Sequence, residues 1–246
     1  MSVVIHMKII VVDNYQEMSA LAAKLIADEI RRNPYATLGL ATGSTVLGVY
    51  AQLREMCEKR EVSFKNVKAV NLDEYVGLSA EHEQSYAYYM RNNLFDHVDI
   101  DILNTFIPCG VAANLHDECN GYNQLLDIIP RDLQLLGLGS DGHIAFNEPY
   151  SSFDSRTRVV QLHGSTVRDN ARFFARAQDV PTSAISMGIA DIMNARKLLL
   201  LASGLNKAQA VKDMVRVAVS EQCPASILQR HADAIVILDK QAATLL

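Results

Sequence analysis

The chain lacks most of the features that would direct it to nucleic acid, a membrane or an oxidising compartment. Lysine and arginine total 23 against 28 acidic residues, a formal net charge of −5. A phosphate backbone calls for a basic surface, so this balance argues against nucleic acid as a partner. A small anion needs only a local positive pocket and stays possible. No apolar run approaches the length of a bilayer span. The opening MSVVIHMKIIVVDN has neither the basic front nor the long apolar core of a secretion signal, and Met1 and Met7 are alternative starts. Cys57, Cys109, Cys119 and Cys223 form no C-x-x-C pair and no zinc-ligand spacing. They read as reduced packing residues of a cytoplasmic protein. Internal repeats, low-complexity tracts and Pro/Gly-rich linkers are also missing, which predicts one domain over residues 1–246.

What is present is an alternation of strand-like and helix-like segments, the pattern of an α/β fold. Strands are predicted at 8–12, 36–41, 67–72, 133–138, 184–187, 197–202 and 234–238. Helices are predicted at 15–32, 46–59, 85–94, 115–129, 166–175, 207–219 and 225–230. The first opens on a capping box, Asn14 with Glu17, and carries Met18, Leu21, Ala22, Leu25, Ile26 and Ile30 on one face. The expected architecture is an open, mainly parallel sheet flanked by helices, a modified Rossmann-like arrangement. Ligands of such sheets bind beyond the carboxyl ends of the strands. That rule nominates 42–45, 73–77, 139–148 and 203–207, all polar or glycine-rich.

Each nominated segment has a chemical and a bland reading. In LGLATGST, residues 38–45, the amides and hydroxyls of Thr42, Gly43, Ser44 and Thr45 at a helix start could hold a phosphate, or Ser44 or Thr45 could merely cap the helix. The G-K-[ST] ending of a nucleotide-binding P-loop is absent. In NLDEYVGL, Asp73 and Glu74 stand at a strand end; a shielded Asp73 could be a general base, an exposed one only an acidic turn. GLGSDG, residues 137–142, imitates a dinucleotide fingerprint but sits mid-chain with Pro149 close behind, so no NAD is inferred.

Asp141, His143 and Glu148 form the strongest constellation. A carboxylate can orient an imidazole, fix its tautomer and support its protonated form. The same three could ligate a divalent ion, but no H-E-x-x-H or comparable ligand spacing accompanies them, and the acid–base reading is preferred with no metal. His163 could be a further partner or simply structural. Arg172, one turn beyond Arg168, and Lys207, placed against the dipole at a helix start, are cations that could face a phosphate or be solvated charges; Arg158 is open in the same way. A G-x-S-x-G nucleophile elbow is absent.

Taken together, LGLATGST, NLDEYVGL, SYAYYMRNNLFDHVDI, GLGSDGHIAFNEP with SSFDSRTR, NARFFA and CPASILQRHADAIVILD resemble the glucosamine-6-phosphate deaminase family, across about residues 36 to 239. The resemblance implies conversion of glucosamine 6-phosphate and water to fructose 6-phosphate and ammonia, without a cofactor. It implies that Asp73 moves a proton between C2 and C1, that His143 opens the sugar ring, and that Asp141 and Glu148 orient and charge-tune His143. Gly43, Ser44, Thr45, Arg172 and Lys207 match positions around the substrate phosphate.

Two departures bear on regulation. Long members of the family are hexamers activated by N-acetylglucosamine 6-phosphate through a basic residue two positions beyond the arginine that Arg158 matches. Val160 stands there, and the chain stops at Leu246, short of the longer C-terminal segment, although Ser151, Ser152 and Arg158 are retained. Weak or absent activation and a monomer or small homo-oligomer are expected. A lactonase or isomerase acting on another sugar phosphate, and a silent sugar-phosphate sensor, are the alternatives. The full Asp73 and Glu148 motifs argue against the first. The intact acid–base set argues against the second, and no segment before Lys8 reads as a helix-turn-helix.

Overall fold

A computed structural model describes residues 7–164, 167, 171, 174, 176 and 179–246. The apolar runs at Thr37–Leu40, Leu133–Gly137 and Leu198–Ala202 become central strands buried on both faces and needing cover on both sides, whereas the edge strand Met7–Val12 is only partly buried. In chain order the elements are β1 (Met7–Val12), α1 (Tyr15–Arg32), β2 (Thr37–Leu40), α2 (Leu47–Glu58), β3 (Lys68–Asn71), β4 (Asp73–Tyr75) and α3 (Tyr86–Asn93). There follow β5 (Thr105–Phe106), α4 (Leu115–Ile128), β6 (Leu133–Gly137), β7 (Arg158–Gln161), β8 (Ser183–Ser186), α5 (Ile189–Met193), β9 (Leu198–Ala202), α6 (Ala208–Arg216) and β10 (Ala234–Asp239). The Asn14 side chain accepts from Glu17 N and starts α1 where the capping box predicted.

Seven strands form a parallel sheet in the order β1-β10-β9-β6-β2-β3-β5. The chain winds outward through β2, β3 and β5, then returns to β6 and winds the other way through β9 and β10. The winding direction therefore reverses between β2 and β6. At such a reversal the connections after adjacent strands leave toward opposite faces and open a crevice above the strand ends. The segments after β2 and β6 border that crevice, with the segment after β9 beside them.

Some expectations are corrected. The strand at 184–187 does not join the parallel sheet: β8 is the centre of a separate antiparallel sheet ordered β4-β8-β7. Residues 73–75 are not an exposed turn but strand β4 of that sheet. The chain leaves β3 at Leu72, where Met187 N donates to Leu72 O at 2.7 Å, and Asp73 then pairs with Ser186. Helix α6 ends at Arg216 rather than 219, and residues Pro224–Arg230 are a 3-10 helix. The helix expected at 166–175, with Arg168 and Arg172, falls on a stretch where both arginines lie outside the described residues. Among the described residues, no helix is long and apolar enough to cross a membrane.

Candidate active site

Two of the nominated turns share one backbone design. After β2, Gly43 adopts φ 102°, a 3-10 turn Ser44–Val46 follows, and α2 begins. After β9, Gly204 adopts φ 94°, a 3-10 turn Leu205–Lys207 follows, and α6 begins. Glycine is needed at both because a side chain rarely tolerates that φ. Neither turn nor either following helix is capped by a side chain, so Ser44 and Thr45 are not spent as helix caps. The two helix starts, on strands flanking β6, present a pair of uncapped positive dipole ends, with the half-buried Lys207 on one and Thr42 beside the other.

Between them the loop after β6 carries His143. Gly139 N donates to His143 O at 2.9 Å and Asp141 Oδ1 accepts from His143 N at 3.2 Å, folding the loop back on itself. Ala225 N donates to Gly142 O, and Phe146 N donates to the Ser186 hydroxyl at 3.1 Å, fastening the loop to its surroundings. Asn147 bridges Ile144 O and Met187 O through its amide nitrogen, and its oxygen accepts from Arg158. Ala145 is held at φ 51°, an unfavourable conformation for a residue with a Cβ, inside this network.

The His143 ring points Nδ1 at carboxylates: Asp141 Oδ1 lies at 2.7 Å and Glu148 Oε2 at 3.5 Å. Nε2 is thereby left for a substrate. Burial pushes the imidazole toward the neutral form, but hydrogen bonds and charge from Asp141 and Glu148 outweigh it and raise its pKa to about 9. Asp141 moves the opposite way: burial acts to raise it, and the His143 contacts pull it well below the usual carboxylate range. His163 Nδ1 stands 3.7 Å from Glu148, a second imidazole at the same carboxylate. Asp141, His143 and Glu148 each offer a ligand atom within 4.8 Å of the others, the one such group among the described residues.

Asp73 is only 6% exposed. Burial, then the neighbouring charge of Glu74, lifts its pKa to about 8, while the His143 cation pulls it partly back. Glu74 was paired with Asp73 in sequence but has separate work. Its carboxylate accepts from Tyr75 N at 2.8 Å, Tyr86 N at 2.9 Å and Ala87 N at 2.9 Å, closing the first turn of α3. Tyr86, placed by that cap, donates to Tyr75 Oη, hydrogen-bonds Thr42, and stacks 6.1 Å from Phe146. It touches three of the four nominated segments. Sequence reading missed it, because a tyrosine early in a helix carries no local sign of that position. Val160 packs with Tyr75, Phe146, Leu162 and Ala184 and offers no charge.

The reversal of winding and the imidazole and carboxylates gathered at it define an α/β protein of the doubly wound class with a histidine–carboxylate cluster beyond its strand ends. The family described as glucosamine-6-phosphate isomerases/6-phosphogluconolactonase matches residues 13–237, and the chain belongs to it. A glucosamine-6-phosphate deaminase of Clostridium perfringens (strain SM101 / Type A) is 50% identical, covering 98% of this chain and 100% of the relative. One from Thermoanaerobacter pseudethanolicus is 46% identical, with 98% and 95% covered. A solved monomeric glucosamine-6-phosphate deaminase superposes with TM-score 0.95 at 45% identity, over 97% of this chain and 100% of that one. A 6-phosphogluconolactonase from Trypanosoma brucei superposes with TM-score 0.79 at 22% identity, over 97% and 98%, a likeness of fold alone.

Proposed function

We propose that the protein is a glucosamine-6-phosphate deaminase, converting glucosamine 6-phosphate and water to fructose 6-phosphate and ammonia. The observation that most supports this reading is the Asp73–His143 arrangement. A buried carboxylate with a pKa of about 8 sits within electrostatic reach of an imidazole held protonated to about 9. The first is a base strong enough for a carbon acid; the second is an acid usable near neutral pH.

The phosphate binds at the two glycine turns, through Thr42, Gly43, Ser44, Thr45 and Lys207, with Arg172 as a third contributor. His143 Nε2 delivers a proton to the ring oxygen as the C1–O5 bond breaks, and the imidazole takes the C1 hydroxyl proton in return to leave the aldehyde. Asp141 and Glu148 keep the imidazole oriented and support its charge. Asp73 then removes the C2 proton as the His143 imidazolium protonates the C1 oxygen, giving an enolamine, and the proton held by Asp73 is returned to C1. Water adds to the resulting imine at C2 and ammonia leaves. Each acid–base contribution is worth roughly 10²–10⁴-fold, and phosphate anchorage supplies positioning.

The protein acts as a monomer or small oligomer in the cytoplasm; its four cysteines are free thiols, as a reducing compartment requires. With valine at 160, an activator phosphate lacks a cationic partner there. The test is incubation of chelator-treated protein with glucosamine 6-phosphate while following both products. Equimolar ammonia and fructose 6-phosphate are expected, and the appearance of neither overturns the reading.

A further inference from the structure

The two glycine turns share a backbone path but are held in place by opposite chemistry. The turn after β2 is held by its carbonyls. Tyr15 Oη donates to Ser44 O at 3.1 Å, Tyr89 Oη donates to Gly43 O at 2.8 Å, and Tyr50 Oη donates to Ala41 O. Neutral hydroxyls grip it from outside and leave its amides unspent. The turn after β9 is held by a carboxylate instead. Asp239, at the last position of β10, accepts from Ser203 Oγ at 2.5 Å and from Gly204 N at 3.0 and 3.1 Å. Its Oδ1 also accepts from Ala242 N at 2.7 Å, and the residue is 5% exposed.

We propose that Asp239 is a positioning residue for substrate phosphate: by fixing Ser203 and Gly204 it sets where the Gly204–Lys207 turn places the start of α6 and the Lys207 ammonium. This rests on the reading of that turn as half of the phosphate site. A carboxylate so near an anion site is ordinarily unfavourable. Here its oxygens are occupied by a hydroxyl and backbone amides, which absorb the charge locally. Burial acts to raise its pKa, and the Ser203, Ala242 and Gly204 bonds outweigh this and lower it, so the grip persists at working pH. Gly204 can swing through a wide range of φ; with its N–H released, the direction of the whole turn is lost.

The test uses the full-length protein and two readouts, calorimetric titration with inorganic phosphate and steady-state kinetics with glucosamine 6-phosphate. Ser203→Ala removes one anchor without touching the C-terminal turn, and is expected to weaken phosphate about fivefold, with KM rising in parallel and kcat within about twofold. Asp239→Asn is expected to weaken phosphate by about tenfold or more, and Ser203→Thr, which keeps the hydroxyl, to restore wild-type binding. If Lys207→Ala weakens phosphate while Ser203→Ala and Asp239→Asn bind it like wild type, Asp239 is only a structural anchor and the proposal is overturned. If Lys207→Ala also leaves phosphate binding unchanged, the phosphate-site reading itself has failed and takes this proposal with it.

Discussion

The His143 imidazole occupies the space that a side chain on Gly139 would need. A Cβ at 139 would fall 2.3 Å from His143 Nδ1 and 2.4 Å from its Cε1. The glycine that mimics a dinucleotide fingerprint is thus required by a histidine. Gly139→Ala is expected to drive the ring off Asp141 and Glu148. Activity should fall about 10²-fold or more, with thermal unfolding shifted by only a few degrees because the strand beneath is unchanged. Near-normal kcat in a folded Gly139→Ala protein would contradict the role given to His143.

Asp73 should cost the fold stability in return for its basicity. Its folded pKa of about 8 lies above the ordinary 3.8, mainly through burial, so the unfolded chain ionises first as pH rises. Stability is lost progressively between those two values. Asp73→Asn is therefore expected to abolish C2-proton exchange and, at neutral pH and above, to stabilise the fold by on the order of a few kcal/mol. Urea unfolding at pH 4 and pH 8 tests this, with the advantage of Asn appearing only at the higher pH.

The pH profile of kcat/KM follows from the same two groups. Activity should rise as Asp73 loses its proton at about 8 and fall as His143 loses its proton at about 9. The His143 cation lowers the pKa of Asp73, so His143→Gln should move the rising limb to higher pH as well as slowing ring opening. In stability terms His143 has a folded pKa above its ordinary 6.5, so its contribution is complete below that value and fades through about 9. A profile with no limb between pH 7 and 10 would remove both assignments.

Glu74→Gln separates the helix cap from the base. Ala87 N loses its Oε2 acceptor, while Gln Oε1 can still accept from Tyr75 N and Tyr86 N. Burial raises the Glu74 pKa, so removing the charge offsets this loss near neutral pH, and unfolding free energy should change by no more than about 1 kcal/mol. Because the Glu74 charge helps raise Asp73, the rising limb of kcat/KM should move to lower pH. An unchanged limb would mean that burial alone sets the Asp73 pKa.

Much of the molecule could be read from the chain alone. Helix α1 runs from Tyr15 to Arg32 as its capping box and apolar stripe specified. Six strands of the parallel sheet announced themselves as apolar runs, and the loop 139–148 as a polar strand-end segment; the two-residue edge strand β5 is too short to leave a pattern and was not predicted. These signals are local: a cap acts within one turn, and burial on both faces leaves a strand uniformly apolar. The short β7 is alternately half-buried and exposed and carries no such run, which is why it escaped notice.

Tertiary structure alone decided what the site residues are. Asp73 is buried in a strand rather than exposed in an acidic turn because the chain changes sheets at Leu72 and pairs Asp73 with Ser186, over a hundred positions along the chain. Glu74, its neighbour in sequence, became a helix cap because the first turn of α3 folds back onto it. Asp239 reached Ser203 and Gly204 only because β10 lies beside β9. Sequence fixes which groups can ionise or donate; their pKa values and directions come from dielectric and partners, and those are supplied by residues distant in the chain.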